Sequence, residues 1–138
     1  MEVEVLSLTH EEISNILEIA NYGNDNIAIQ RPKECNHLVS PKSQFGSDRW
    51  ADILLGGGYI VVWDLNADAD SLSDQLSGRA IAYDLGDRSI GYRLSLGDLL
   101  RACAADMKTA LDVISGEGDV NDAYNLVQLA IFGEVIYG

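Results

Sequence analysis

Residues 59–63, Tyr-Ile-Val-Val-Trp, constrain the fold of this chain more than any other segment. The run is almost continuously apolar and is built from β-branched and aromatic residues. Such a composition is typical of a central strand that is covered on both faces. Three glycines end the element before it and an aspartate-rich loop follows it.

Two helices are predicted before this strand. The sequence Thr-His-Glu-Glu at residues 9–12 is a capping-box pattern, and apolar residues follow at helical spacing as far as Gly23. Ser47 is expected to cap a second, short helix that runs through Leu55. Between them, residues 30–46 contain both prolines and three of the nine basic residues. This stretch indicates an irregular loop, the least acidic part of the molecule.

Short strands are predicted at four further places: residues 2–6, 27–29, 79–84 and 88–94. The last two are spaced as a hairpin around a Gly-Asp turn.

Two more helices are predicted toward the end of the chain. A capping pattern at residues 95–98 opens the first, whose apolar stripe runs from Leu99 to Ile114. Asp119 is expected to cap the last helix, and the apolar residues 132–138 should be tied down against the core.

The order of these elements has no regular βαβ alternation. With 138 residues and 47% apolar side chains, the chain fits one domain with a real core. We therefore expect a single α+β domain over residues 1–138, with a mixed or antiparallel sheet of about four to five strands and helices packed on one face.

The charge of the chain limits its partners. Twenty-two carboxylates against nine basic side chains give a formal charge of −13. A field of that sign rejects nucleic acid and anionic membrane and attracts basic protein surfaces. We expect no direct nucleic-acid binding and no membrane association.

The two cysteines and the first residues of the chain indicate where in the cell the protein is expected. Cys35 and Cys103 are far apart, and free thiols in a reducing environment are expected, with Cys103 buried on a helix face. The acidic start of the chain has the wrong charge for a signal or transit peptide, and no apolar run reaches the ~18 residues of a membrane span. The protein is expected in the cytoplasm of a host cell.

Metal signals are weak. Residues 64–70 place oxygen ligands at alternate positions, as a calcium loop does, but Ala69 and Gln75 stand where an EF-hand needs glycine and glutamate. A solvated acidic loop is favoured, and calcium binding is the less favoured alternative. Cys35 and His37 supply only two of the four ligands of a structural zinc site. No metal and no cofactor are predicted.

Catalytic signals are also weak. The three glycines at residues 56–58 follow a helix and precede a strand, the reverse of a phosphate loop. His10 and His37 have no nucleophile motif around them, and Gly-x-Ser-x-Gly is absent. We predict a protein without catalytic residues.

Two acidic segments without basic residues stand out. The first is the loop after the central strand, and the second surrounds one predicted helix–helix turn beyond Lys108, the last basic residue. Their carboxylates are the predicted partner-binding residues: Asp64, Asp68, Asp70 and Asp74, then Asp112, Glu117, Asp119 and Asp122. They are read either as a solvated surface that maintains solubility or as an array that replaces DNA phosphates on a basic protein.

Several sequence stretches carry a resemblance. They are Glu-Glu-Ile-x-x-Ile-Leu from residue 11, Asp-Arg-Trp-Ala-Asp-Ile-Leu-Leu-Gly-Gly at 48–57, Tyr-Arg-Leu-Ser-Leu at 92–96, and Leu-Ala-Ile-Phe-Gly-Glu-Val-Ile-Tyr-Gly at 129–138. With these, the chain resembles a loose group of small acidic phage and prophage proteins of unknown function. The resemblance implies an origin in a mobile element, where by analogy small acidic proteins inhibit host defence as anti-CRISPR or anti-restriction proteins do.

The leading hypothesis is a non-enzymatic, DNA-mimicking inhibitor that binds a basic host protein or nucleoprotein complex. The alternative is an immunity-type or regulatory protein that neutralises one cognate toxin or enzyme through an aromatic-anchored patch. Tyr22, Tyr83 and Tyr92 are the tyrosines expected to be partly exposed. These tyrosines and the apolar C-terminal segment leave room for a homodimer.

Overall fold

The computed structural model describes residues 7–22, 25–66, 80–84 and 89–137. Within them, four strands form one sheet in the order β1-β2-β4-β3, and every neighbouring pair is antiparallel. The elements are α1 His10–Tyr22, β1 Ile27–Gln30, a 3-10 helix Lys33–Leu38, α2 Gly46–Leu55, β2 Tyr59–Asp64, β3 Ala80–Asp84, β4 Ser89–Ser95, α3 Leu96–Ala105, α4 Met107–Ser115 and α5 Val120–Phe132. The predicted α+β class is confirmed.

The central position of β2 is confirmed by its pairing with both β1 and β4. Ile60 and Val62 are fully buried and face the core that the helices cover. On the other face, Val61 is buried while Tyr59 and Trp63 are only half-buried. Equal cover on both faces is therefore not observed, and the helices pack against one side of the sheet, as expected.

The hairpin of β3 and β4 is confirmed, although its turn lies outside the described residues. The pairing slips between Ala80, opposite Tyr92, and Ala82, opposite Gly91. An extra residue in one strand leaves the ladder locally unpaired. Ile81 is that residue, and its side chain is 42% exposed on an edge strand.

The second helix begins differently from the prediction. Phe45, not Ser47, is the N-cap of α2, and no side chain caps the helix. Ser47 lies in the first turn and is buried. The prediction of an irregular loop before α2 missed the 3-10 helix, which has a hydrogen bond from the Cys35 amide to the Pro32 carbonyl.

The apolar stripe from Leu99 to Ile114 is not one helix. The chain breaks at Asp106, whose backbone leaves helical geometry and whose carboxylate accepts hydrogen bonds from the amide and hydroxyl of Thr109. A short polar side chain that bonds the local backbone competes with helix continuation. Leu111, which an unbroken apolar stripe would bury, is 57% exposed in α4.

The predicted caps of α3 and α5 are confirmed. In each, the N-cap side chain accepts from the amide three residues on, and the carboxylate of that residue accepts from the N-cap amide. The two pairs are Ser95 with Asp98 and Asp119 with Asp122. The predicted strand at residues 2–6 lies outside the described residues.

Candidate functional site

Asp64 is not a surface residue, so its predicted role in partner binding is wrong. It is the last residue of β2, and only 1% of it is exposed. Side chains alternate along a strand, so Asp64 points to the same face as Ile60 and Val62. That alternation was visible in the sequence and could have placed Asp64 inside.

The Asp64 carboxylate is satisfied within the protein. One oxygen accepts the hydroxyl of Tyr137 at 2.8 Å, and the other accepts the amide of Asn66 at 2.9 Å. Burial raises the pKa of Asp64, and these two hydrogen bonds oppose the rise without cancelling it. Burial also raises the pKa of Tyr92 and Tyr124, with a further contribution from the negative Asp64.

Gln128 holds the segment that brings Tyr137 to Asp64. It is fully buried, and its carbonyl oxygen accepts the amides of Ile136 at 2.9 Å and Tyr137 at 2.8 Å. Its own amide donates to the Tyr137 carbonyl at 3.1 Å. The expectation that this segment is tied to the core is confirmed, and the tie is polar as well as apolar.

The other members of the first acidic segment lie outside the described residues. They are Asp68, Asp70 and Asp74. Their role in partner binding stays a prediction, as does the calcium-loop alternative.

The second acidic segment forms a single tight turn between α4 and α5. We call it the acidic turn, and it consists of four residues: Asp112, Glu117, Asp119 and Asp122.

Backbone hydrogen bonds fix the shape of the acidic turn. Gly116 ends α4 with φ of 86°, in the left-handed region that favours glycine. The amides of Glu117 and Gly118 then donate to the Asp112 carbonyl at 2.9 and 2.7 Å. A side chain at Gly118 would come within 2.8 Å of Val113, so the chain passes close to α4 there. The four carboxylates therefore sit on a rigid frame.

The charges of the acidic turn have no basic partner among the described residues. Glu117 and Asp119 are exposed, and Asp112 and Asp122 are partly exposed. The ion pairs of the described chain, Arg101 with Asp98 and His10 with Asp52, both lie elsewhere. The positive end of α5 stabilises Asp119 and Asp122, whereas Asp112 lies toward the negative end of α4. The turn can thus attract cations from outside.

Asp52 is a structural carboxylate that the sequence analysis missed. It accepts hydrogen bonds from the His10 ring at 2.9 Å, from the Ser40 amide at 2.9 Å and from the Ser43 hydroxyl. Burial raises the pKa of Asp52, but the hydrogen bonds outweigh it and the pKa lies below its usual value. The partners are 9 to 42 residues away in sequence, so no local signal could have found them.

The His10–Asp52 pair does not form a catalytic triad within the described residues. The Ser43 hydroxyl bonds to Asp52 rather than to the imidazole, so His10 does not activate it as a nucleophile. The pair joins α1 to α2 and to the loop before α2. Its evident role is structural.

Both cysteines are buried and free, as expected for Cys103. Burial raises the pKa of the Cys103 thiol to about 11, so it is poorly reactive. Cys35 is buried while His37, two residues on, is exposed. In the part of the chain that the structure describes, no group of three or more His, Cys, Asp or Glu residues could hold a metal ion.

The exposed aromatic residues differ from those predicted. Tyr22 is 65% exposed, as expected, and stacks on Trp50 with 6.2 Å between ring centroids. Tyr92 is only 3% exposed, because it packs inside against Phe132, so that prediction is wrong. The side chain of Tyr83 lies outside the described residues. Phe45, which was not predicted, is 67% exposed at the N-cap of α2.

Over the described residues, no helix is long and apolar enough to span a membrane. No protein-family model, no curated protein and no solved structure matches this chain.

Proposed function

We propose that this chain is a non-enzymatic inhibitor that binds the basic nucleic-acid-binding surface of a host defence complex of the CRISPR or restriction type. It acts in the host cytoplasm and occupies the place of nucleic acid. The observation that carries the proposal is the acidic turn, whose four carboxylates lack any basic partner among the described residues.

The position of the carboxylates supports this role. A surface that only maintains solubility can hold its charges on mobile side chains anywhere. A mimic gains from charges held in fixed places, because fewer side chains lose freedom on binding. In the acidic turn, Asp119 and Asp122 are already held by their reciprocal hydrogen bonds at 3.0 Å.

The energetics also favour a polyanion mimic. Duplex DNA presents about one charge per 1.7 Å of axis, and a basic groove is built to displace the counterions around such charges. A protein with a formal charge of −13 carries the same sign and is drawn to the same groove. Binding should therefore weaken steeply with salt.

The experiment is a cleavage assay with purified CRISPR effector ribonucleoproteins and restriction endonucleases. We expect the chain to inhibit DNA cleavage by at least one of them and to lose inhibition when Asp112→Asn and Glu117→Gln are combined. These two substitutions leave the α5 capping box intact. The matched control is Glu11→Gln with Glu18→Gln, which removes the same charge from exposed positions of α1.

Two results would overturn the proposal. One is a failure to inhibit any member of the panel. The other is equal inhibition by the acidic-turn variant and the unsubstituted chain, because Asp112 and Glu117 would then carry none of the binding.

An immunity-type role is the second candidate, and the exposed aromatics favour it. Tyr22, which stacks on Trp50, and Phe45, at the N-cap of α2, are exposed large rings, and such rings often anchor protein interfaces. In that case Phe45→Ala would abolish binding to a single small toxin, and the acidic-turn variant would retain it. The two candidates are thus separated by two variants in one binding assay.

A further inference from the structure

A cleft of about 520 Å³ opens where the sheet edge meets α3 and α5. We call it the arginine cleft, because Arg93 of β4 and Arg101 of α3 both line it. Its apolar wall consists of Ala80, Ile81, Ala130 and Ile131. The volume lies within the ~300–1,000 Å³ of typical small-ligand sites.

The cleft is unusual for such an acidic chain. Of nine lysines and arginines, Arg79 and Arg88 lie outside the described residues, and two of the remaining seven face this one cleft. Arg93 is exposed, lies over the Tyr59 ring at 5.2 Å and makes no ion pair with a described residue.

The one carboxylate among the described residues that line the cleft is already engaged. Asp98 accepts the amide of Ser95 at 3.0 Å and its hydroxyl at 2.9 Å, and it pairs with Arg101. Because two guanidiniums face one carboxylate, the described lining of the cleft has a surplus positive charge. A guanidinium has five N–H donors, so Arg101 retains donors for a ligand while paired with Asp98.

The acidic turn does not cancel this local surplus. Asp122 and Ile131 are nine residues apart on α5, or about 13 Å along the helix axis. That separation exceeds the Debye length of about 8 Å at physiological salt. Salt therefore screens the acidic turn from the two arginines of the cleft.

We propose that the arginine cleft binds a small organic carboxylate, which is a ligand site separate from the acidic turn. The carboxylate lies between Arg93 and Arg101, which can each donate paired hydrogen bonds to it. The apolar body of the ligand packs against the wall formed by β3 and α5. An inorganic anion such as phosphate can contact the two arginines but has no apolar body to pack against the wall.

The experiment follows backbone amide shifts by NMR while 3-phenylpropionate is added. Its neutral isostere 3-phenylpropanamide tests the need for charge, and inorganic phosphate tests the need for an apolar body. We expect saturable shifts at the amides of the apolar wall with the carboxylate, at least about fivefold tighter than with either comparison compound.

Variants assign the binding to the two arginines. Arg93→Gln and Arg101→Gln should each weaken 3-phenylpropionate binding about five- to tenfold. Lys108→Gln, which removes an exposed charge from α4 outside the cleft, should leave binding unchanged. The circular dichroism spectrum of each variant shows whether it is folded.

Several results would overturn the site. They are the absence of saturable shifts at the wall, equal binding of the amide or of phosphate, and unchanged affinity in the folded Arg93→Gln variant. None of them bears on inhibition by the acidic turn, which uses residues at the other end of α5.

Discussion

Asp64 and the acidic turn carry the same functional group, yet the fold uses them in opposite ways. Asp64 is buried at the end of β2 and bonded to Tyr137 and Asn66. The carboxylates of the acidic turn are exposed or partly exposed, and no described basic residue pairs with them. Density of negative charge along a sequence therefore does not reveal which carboxylates can face a partner.

The difference arises from backbone geometry. A strand sends alternate side chains to opposite faces, so an aspartate in phase with buried residues is carried inside and must find internal donors. The tight turn between α4 and α5 leaves its four carboxylates exposed or partly exposed, and two of them, Asp119 and Asp122, also cap backbone amides. Asp64 contributes to architecture, whereas the acidic turn remains available for recognition.

The largest loss of stability is expected when Gln128 is replaced, because Gln128 holds the segment that reaches the buried Asp64. Gln128→Leu leaves the amides of Ile136 and Tyr137 without their acceptor and releases the segment that carries the Tyr137 hydroxyl to Asp64. We expect the free energy of unfolding to fall by about 3 kcal/mol. Urea unfolding measures it, and a loss below about 0.5 kcal/mol would contradict the assigned role.

Asp52 is a second internal carboxylate, with a pKa shift of the opposite sign. Its lowered pKa means that its stabilising contribution is present above the ordinary value of 3.8 and is lost as the pH falls through the folded-state pKa. We expect Asp52→Asn to cost about 1–2 kcal/mol at neutral pH. The loss should shrink toward acid in urea unfolding, and a loss that grows there would be inconsistent with the hydrogen bonds described.

Asp64→Asn should have a smaller effect and the reverse dependence on pH. Burial raises the Asp64 pKa, so the folded state binds the proton more tightly and the stability contribution falls as pH rises above 3.8. An asparagine can accept the Asn66 amide and donate to the Tyr137 oxygen. Relative to the unsubstituted chain, the variant should therefore gain stability, by up to about 1 kcal/mol, between about pH 4 and neutral pH. Unfolding curves over that range check this, and a gain that is greatest in acid would contradict it.

The smallest effect on stability is expected at the acidic turn. Combining Asp112→Asn with Glu117→Gln removes two side-chain charges that make no ion pair with a described residue. The free energy of unfolding should change by no more than about 0.5 kcal/mol. A larger loss in thermal or urea unfolding would show that these carboxylates are architectural, like Asp64.

Local signals in the sequence predicted much of the fold. The N-caps of α3 and α5, the helix α1 and the central β2 depend on spacing within a few residues, and all were predicted. The break at Asp106 was not predicted, because the apolar stripe continues through it. The helix ends where the Asp106 carboxylate accepts a hydrogen bond from Thr109.

Long-range features could not be predicted in the same way. The Asp64–Tyr137 bond joins residues 73 positions apart, and the arginine cleft brings together β3, β4, α3 and α5. Such contacts form only when distant elements pack together, and they leave no local pattern in the sequence from which they could be predicted. The acidic turn was found because its four members lie within one local helix–turn–helix segment.

The salt dependence of inhibition shows most directly whether the acidic turn binds a basic surface. The inhibition constant toward the affected nuclease or effector would be measured from about 0.05 to 0.5 M salt, for the unsubstituted chain and for the Asp112→Asn, Glu117→Gln variant. We predict a steep log–log slope that becomes shallower by about one to two in the variant. Identical slopes and equal inhibition in both proteins would contradict the account.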